Sequence, residues 1–305
     1  MESLHEAKRS SALSDPRTFL VPTDFSAGAE AALDVALELA AEAHAKVHVM
    51  HAIQPPYVGF SDGLALPTAD LVARMREQAE SDLAACVAKR SGTRIEVVSR
   101  IAEGDPRDAV LETADEIDAG LVIMGTRGRR GIARALIGSV AESVVRTCAR
   151  PVMTVHAPRT VAGPFRHILV PTDLTEASQK ALDAALDVAR VDGAVVTLLH
   201  VWSLPTTGYA EALLWPREGL QRAAQAALDT LLASTRKLHA KTEAILQQGS
   251  ETTAILDAAT KERCDLVVMG THGRQGLPRL LFGSVAGEIV RLSPTPVLTV
   301  RAAQG

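Results

Sequence analysis

The chain contains the same segment twice. FLVPTDFSAGAEAALDVALELA, starting at Phe19, is matched by ILVPTDLTEASQKALDAALDVA, starting at Ile168. Further on, IDAGLVIMGTRGRRGIARALIGSVAESVVRTCARPVMTV from Ile117 is matched by RCDLVVMGTHGRQGLPRLLFGSVAGEIVRLSPTPVLTV from Arg263. A repeat of this length implies two domains, each burying a core of its own. The copies lie 149 residues apart at Asp24 and Asp173 but 145 apart at Gly125 and Gly270, so the first carries four extra residues. The Pro/Gly-rich stretch QPPYVGFSDGLALP, after the second strand, is suited to absorb them. With HAPRTVAGPFRH as linker, the expected division is a flexible polar tail over 1–16, a first domain over 17–157 and a second over 165–302.

Within each copy, short runs of Val, Ile and Leu alternate with helical patterns. The expected strands of the first copy are Phe19–Val21, Val47–Met50, Ile95–Val98, Leu121–Met124 and Val152–Val155. Those of the second are Ile168–Val170, Val195–Leu199, Ala244–Leu246, Leu266–Met269 and Val297–Val300. Between them Leu33, Ala36, Leu37 and Ala40 recur at helical spacing, as do Leu182, Ala185, Leu186 and Ala189. Strand–helix–strand alternation predicts right-handed crossovers and a parallel sheet, so each copy reads as an open five-stranded α/β domain. Aromatic residues are only 3% of the chain, which suits strands packed under helices on both faces. Ser26 and Thr175 stand at helix N-caps, and Asp105-Pro106 joins a cap to a proline at the first helical position.

Charge and composition exclude several classes. A formal charge of −4 gives no general electrostatic reason to bind nucleic acid. Acidic or basic residues interrupt every long apolar stretch, so no membrane span is expected, and the start MESLHEAKRSSALSDP has no apolar targeting core. The simplest expectation is a soluble, cytoplasmic protein. Cys86, Cys148 and Cys264 show no CxxC spacing and read as reduced thiols, the latter two at ends of apolar segments that look equivalent.

In an open α/β sheet, ligands bind beyond the C-terminal ends of the strands, where the connections diverge. Two segments of each copy lie there. One is Pro22-Thr23-Asp24, or Pro171-Thr172-Asp173; the other follows strand 4 with the spacing G-x2-G-x9-G-S. The second segment comprises Gly125, Gly128, Gly138 and Ser139, or Gly270, Gly273, Gly283 and Ser284. Glycine permits positive φ and lets backbone N–H groups approach an anion, and the Gly-Ser pairs precede apolar helices whose N-termini favour negative charge. Arg127, Arg129, Arg130 and Arg134 lie inside the first loop, and His272, Arg274 and Arg279 inside the second. Such a loop suits a di- or triphosphate. Neither a Walker A sequence nor a strand-1 G-x-G-x-x-G is present.

These residues resemble the universal stress protein family in its tandem form, and the glycine spacing resembles its ATP-binding subgroup. The resemblance implies a Rossmann-like sheet of order 3-2-1-4-5 and ATP as the bound molecule. It implies that Asp24 and Asp173 contact the adenine–ribose side, that Val201 contacts adenine, and that Ala52 replaces this valine in the first copy. Met124-Gly125 and Met269-Gly270 match the family's strand-4 end. Ser139-Val140 and Ser284-Val285, with their preceding glycines, match its phosphate contacts. It further implies that the final strands VMTV and VLTV pair, making an intramolecular pseudo-dimer; further homodimerisation stays open.

Two readings stand beside each other at several positions. Asp24 and Asp173 suit a turn as well as a ligand. Ser139-Val140-Ala141-Glu142 has the form of a capping box, so Ser139 is expected to cap its helix and to donate to phosphate. His51 and His200 read as packed polar residues. The leading expectation is a regulatory ATP-binding protein with one site per domain, acting in stress adaptation. The alternatives are a slow ATPase or autophosphorylating enzyme using ATP with Mg2+, and a scaffold indifferent to nucleotide.

Overall fold

The computed structural model describes residues 18–55, 58–60, 63–65, 69–90, 95–126, 137–156, 163–203, 217–271 and 283–301. Two compact units divide between Pro164 and Phe165. The expected tail over 1–16 lies outside the described residues.

The first unit runs β1 (Thr18–Pro22), α1 (Ala27–Ala43), β2 (Lys46–Ile53), β3 (Val58–Phe60), β4 (Gly63–Ala65), α2 (Ala69–Ala88), β5 (Val97–Glu103), α3 (Pro106–Glu116), β6 (Leu121–Gly125), α4 (Ser139–Thr147) and β7 (Val152–Val155). Its sheet order is β5-β2-β1-β6-β7, with every pair parallel. The second unit runs β8 (His167–Thr172), α5 (Glu176–Asp192), β9 (Val195–Trp202), α6 (Arg217–Arg236), β10 (Thr242–Gln248), α7 (Glu251–Lys261), β11 (Leu266–Gly270), α8 (Ser284–Leu292) and β12 (Val297–Val300). Its order is β10-β9-β8-β11-β12. Counting only the five parallel strands of each unit, both sheets are 3-2-1-4-5. The order reverses between strands 1 and 4, that is, between β1 and β6 and between β8 and β11.

The inner strands are buried on both faces. Val47 through Met50 of β2 and all four residues of β7 are buried, as helical cover on two sides requires. On α1, Leu33, Ala36, Leu37 and Ala40 are all buried, and so are their counterparts Leu182, Ala185, Leu186 and Ala189 on α5. Ser26 Oγ accepts from Ala29 N and Thr175 Oγ1 from Ser178 N, so both cap helices as their positions suggest. Asp105 Oδ1 accepts from Arg107 N at 2.9 Å and precedes Pro106. Each such cap is worth about 1 kcal/mol.

Three features differ from the sequence reading. The third strand is Val97–Glu103 rather than Ile95–Val98, because β5 ends its sheet half-exposed and tolerates Arg100 and Glu103. The Pro/Gly stretch after β2 contains a small antiparallel hairpin, β3–β4. Register places Val47 opposite Val97 and Val196 opposite Thr242, while the buried Leu83 of α2 matches the buried Leu228 of α6. The change in spacing therefore falls between β2 and the packed face of α2, in the stretch that holds the hairpin. Cys148 closes α4 whereas Cys264 precedes β11, so the two are not equivalent; their counterparts in the repeat are Ser293 and Ala119. All three cysteines are free and buried, and burial pushes the Cys264 thiol up to about 12.

One buried acid departs from the repeat. Asp187 of α5, only 12% exposed, meets Arg190 at 3.1 Å, yet burial pushes its carboxyl up to about 6. A folded-state pKa above the unfolded one means stability that is full below the unfolded pKa and lost as pH rises through the folded value. Asp187→Asn should therefore raise the unfolding free energy at pH 7.5 by about 1–3 kcal/mol and change little below pH ~4. Urea denaturation across that range checks it.

Candidate functional site

The exits of β1 and β6 meet where the crossovers diverge. At Gly125, the last residue of β6, an added Cβ would lie 2.6 Å from Gly28 C and 2.8 Å from Ala29 N, both in the first turn of α1. That approach brings the N-terminus of α1 onto the end of β6. Gly125 is thus required by packing, not by an unusual φ. Positive-φ glycines do occur, at Gly104 and Gly249 just before α3 and α7.

The loop after β6 returns to its own start. Thr126 N donates to Val155 O at 3.1 Å, and Gly138 N donates to Thr126 O at 2.7 Å. In the second unit Thr271 N donates to Val300 O at 3.1 Å and Gly283 N to Thr271 O at 2.9 Å. The first turns of α4 and α8 are thereby held beside the strand-4 exit. Thr126 is buried, and its Oγ1 has no hydrogen-bond partner among the described residues. The sequence reading passed over this threonine, although the same residue stands between the first two glycines in both copies. Arg127, Gly128, Arg129, Arg130 and Arg134, with His272, Gly273, Arg274 and Arg279, lie outside the described residues.

The capping-box reading of Ser139 is corrected. Gly138 is the N-cap of α4, at φ −67°, and its carbonyl accepts from Glu142 N. Ser139 is the first helical residue, exposed, and its hydroxyl has no partner among the described residues. Gly283 and Ser284 repeat this arrangement at α8, with φ −59° at the glycine. A residue at N1 cannot accept from N–H groups two and three positions beyond the cap in the capping-box manner, so both serine hydroxyls remain available.

The Pro-Thr-Asp turns take a strained path. Phe25 and Leu174 follow the aspartates at φ 61° and 65°, a region that costs a bulky residue about 1–2 kcal/mol. Side chains before them hold the turn. Thr23 Oγ1 accepts from Phe25 N at 3.0 Å and Thr172 Oγ1 from Leu174 N at 3.1 Å. Asp24 Oδ1 accepts from Ser26 N at 3.0 Å, while Asp173 Oδ1 accepts from Thr175 N at 3.1 Å and Thr175 Oγ1 at 2.6 Å. Each aspartate therefore has one oxygen in the turn role.

Other expected site residues fall at the same strand ends. Pro22 pairs with Met50 and Pro171 with Leu199 in register. His51 Nδ1 and His200 Nδ1 each donate to the carbonyl of Thr23 or Thr172 at 2.7 Å, which makes them packing residues. Ala52 and Val201, next along β2 and β9, are half-buried. Met124 and Met269 are buried beside the terminal glycines, and Val140 and Val285 are the second residues of α4 and α8.

Two glycines of the site should respond differently to substitution. Gly125→Ala should cost about 1–3 kcal/mol, because the α1 backbone must move away. Gly138→Ala, whose Cβ would meet nothing among the described residues closer than Thr126 O at 3.4 Å, should cost less than about 1 kcal/mol. Thermal unfolding of the two variants distinguishes them.

The geometry can be set against known proteins. Residues 16–156 and 164–301 each match the model of the universal stress protein family. A universal stress protein of Mycolicibacterium smegmatis is 28% identical over 296 residues, covering 92% of this chain and 96% of that one. One of Methanocaldococcus jannaschii is 31% identical over 140 residues, 45% of this chain and 82% of its own length. The crystal structure of a universal stress protein from Archaeoglobus fulgidus shares the fold, with a TM-score of 0.72 at 20% identity over 94% of this chain and 98% of that one. The chain belongs to the universal stress protein family, with two copies of its domain in tandem.

Proposed function

We propose that each unit binds an adenine nucleotide at its strand-1/strand-4 exit, ATP in the first instance, and that occupancy adjusts the protein's conformation or partners during stress adaptation. The observation that carries this reading is the return of the glycine loop onto Thr126 and Thr271, which sets a helix N-terminus beside the strand end in both units. Unpaired N–H groups and the positive end of the helix dipole favour phosphate there.

The residues present fit such a ligand. The phosphates would lie on the first turns of α4 and α8, taking the amides of Ser139, Val140, Ser284 and Val285 and the two serine hydroxyls, which no intrahelical role occupies. The loop residues Arg127, Gly128, His272 and Gly273 would close over them, as the motif spacing suggests. Asp24 and Asp173 would face the ribose, and Ala52 and Val201 the base. Mg2+, where it takes part, would enter with the phosphates. Bound nucleotide would supply the charge that draws loop and helix together; the chain's own part is to position it and exclude water from the base.

The two sites should differ in strength. Val201 covers more of the base than Ala52 does, so the second unit should bind tighter. Isothermal titration with ATP should give two unequal sites, and Ala52→Val should tighten the weaker by about five- to tenfold through the extra apolar contact. Ser139→Ala should weaken the first site about tenfold and Ser284→Ala the second. No heat with ATP or ADP at millimolar nucleotide would overturn the proposal.

A further inference from the structure

The residue beside the base position differs in kind between the two units. Pairing in register sets Ala102 of β5 next to Ala52, and Gln247 of β10 next to Val201. Register partners on neighbouring parallel strands stand about 4.8 Å apart and send their side chains to the same face of the sheet. The face that carries Val201 at the exit of the second unit therefore carries Gln247 as well. In the first unit the two matching places hold methyl groups. Two residues earlier on that face stands Arg100, and its guanidinium is already engaged, donating to Glu116 Oε1 at 3.0 Å. The counterpart of Arg100 in the second unit is the apolar Ile245.

Gln247 is half-buried, and its carboxamide makes no hydrogen bond among the described residues. Glu243 and Gln248 of the same edge strand are exposed, so water serves them fully. Any further cover over Gln247 would remove water from its amide, at a cost unless new hydrogen bonds form. A carboxamide presents an acceptor and a donor side by side. Adenine presents the complement, an exocyclic amine next to a ring nitrogen, and glutamine pairs with that edge through two hydrogen bonds.

We propose that Gln247 reads the base in the second unit: its Oε1 accepts from the adenine amine and its Nε2 donates to a ring nitrogen. The first unit, with Ala52 and Ala102 at these places, takes the base by apolar contact alone. The inference rests on the nucleotide reading of the two exits and adds to it a difference in selectivity. A site that hydrogen-bonds a substrate group rejects the analogue lacking it, whereas an apolar pocket barely distinguishes the two. The second unit therefore selects a purine with an exocyclic amine, and the first accepts purines of either kind.

The test is calorimetric titration of the full chain with ATP and with purine riboside triphosphate, the same molecule without its amino group. The parent should show one site that prefers ATP about tenfold and one that takes both nucleotides within about twofold. Gln247→Met changes a half-exposed residue of an edge strand, so it should fold normally, and it should bring the two nucleotides to equal affinity at the selective site. Ala102→Gln should confer a preference for ATP of about fivefold on the other site. Three results would each overturn the role of Gln247 while leaving nucleotide binding standing: no preference at either site of the parent, a preference kept by Gln247→Met, or no gain in folded Ala102→Gln. Absence of heat with both nucleotides would instead overturn the proposed function, and this inference with it.

Discussion

The arrangement depends on one close approach, that of the first turn of α1 to the end of β6 across Gly125. With backbone atoms 2.6 Å from where a Cβ would stand, no other residue fits without moving a helix. Because β1 leads into α1 and pairs with β6, this contact fixes where the two crossovers part. The Pro-Thr-Asp turn, the loop return at Thr126 and the start of α4 all meet around it. A notch at a sheet's switch point follows from chain direction. Its floor is made by this packing.

The backbone repeats more faithfully than the side chains do. Left-handed residues recur at matched places in the two units: Phe25 and Leu174, His44 and Gly193, Asp118 and Arg263, Gly104 and Gly249. Two of these pairs, and His44 of a third, place a residue other than glycine where each costs about 1 kcal/mol or more. Their side chains have diverged freely, from Phe to Leu and from Asp to Arg. The path of the chain is held by hydrogen bonds from neighbouring groups, such as Thr23 Oγ1 and Thr172 Oγ1, and not by the identity of the strained residue itself.

Charge is where the units part company. At the strand-1/strand-4 exit both offer the same helix start and the same serine hydroxyl, and differ chiefly in Ala52 against Val201. At the opposite end Ala41 and Glu96 stand where the second unit has Arg190 and Lys241. Even with Arg190 beside it, Asp187 stays hard to ionise, because a half-exposed guanidinium recovers less than burial removes.

The sequence by itself determined the two-domain plan, the α/β class, most strand positions and the caps at Ser26, Thr175 and Asp105, because these rest on local periodicity and on hydrogen bonds spanning three residues. It also put the Pro-Thr-Asp segments and the starts of the glycine segments at one edge of the sheet, since strand direction alone places them there. Tertiary structure decided the rest. Only packing against α1 explains Gly125, only the loop return gives the Thr126 carbonyl its partner at Gly138, and only the actual helix start frees Ser139 from the capping role its neighbours suggested. The extension of β5 past Val98 depends on its sheet-edge place, where polar side chains reach water.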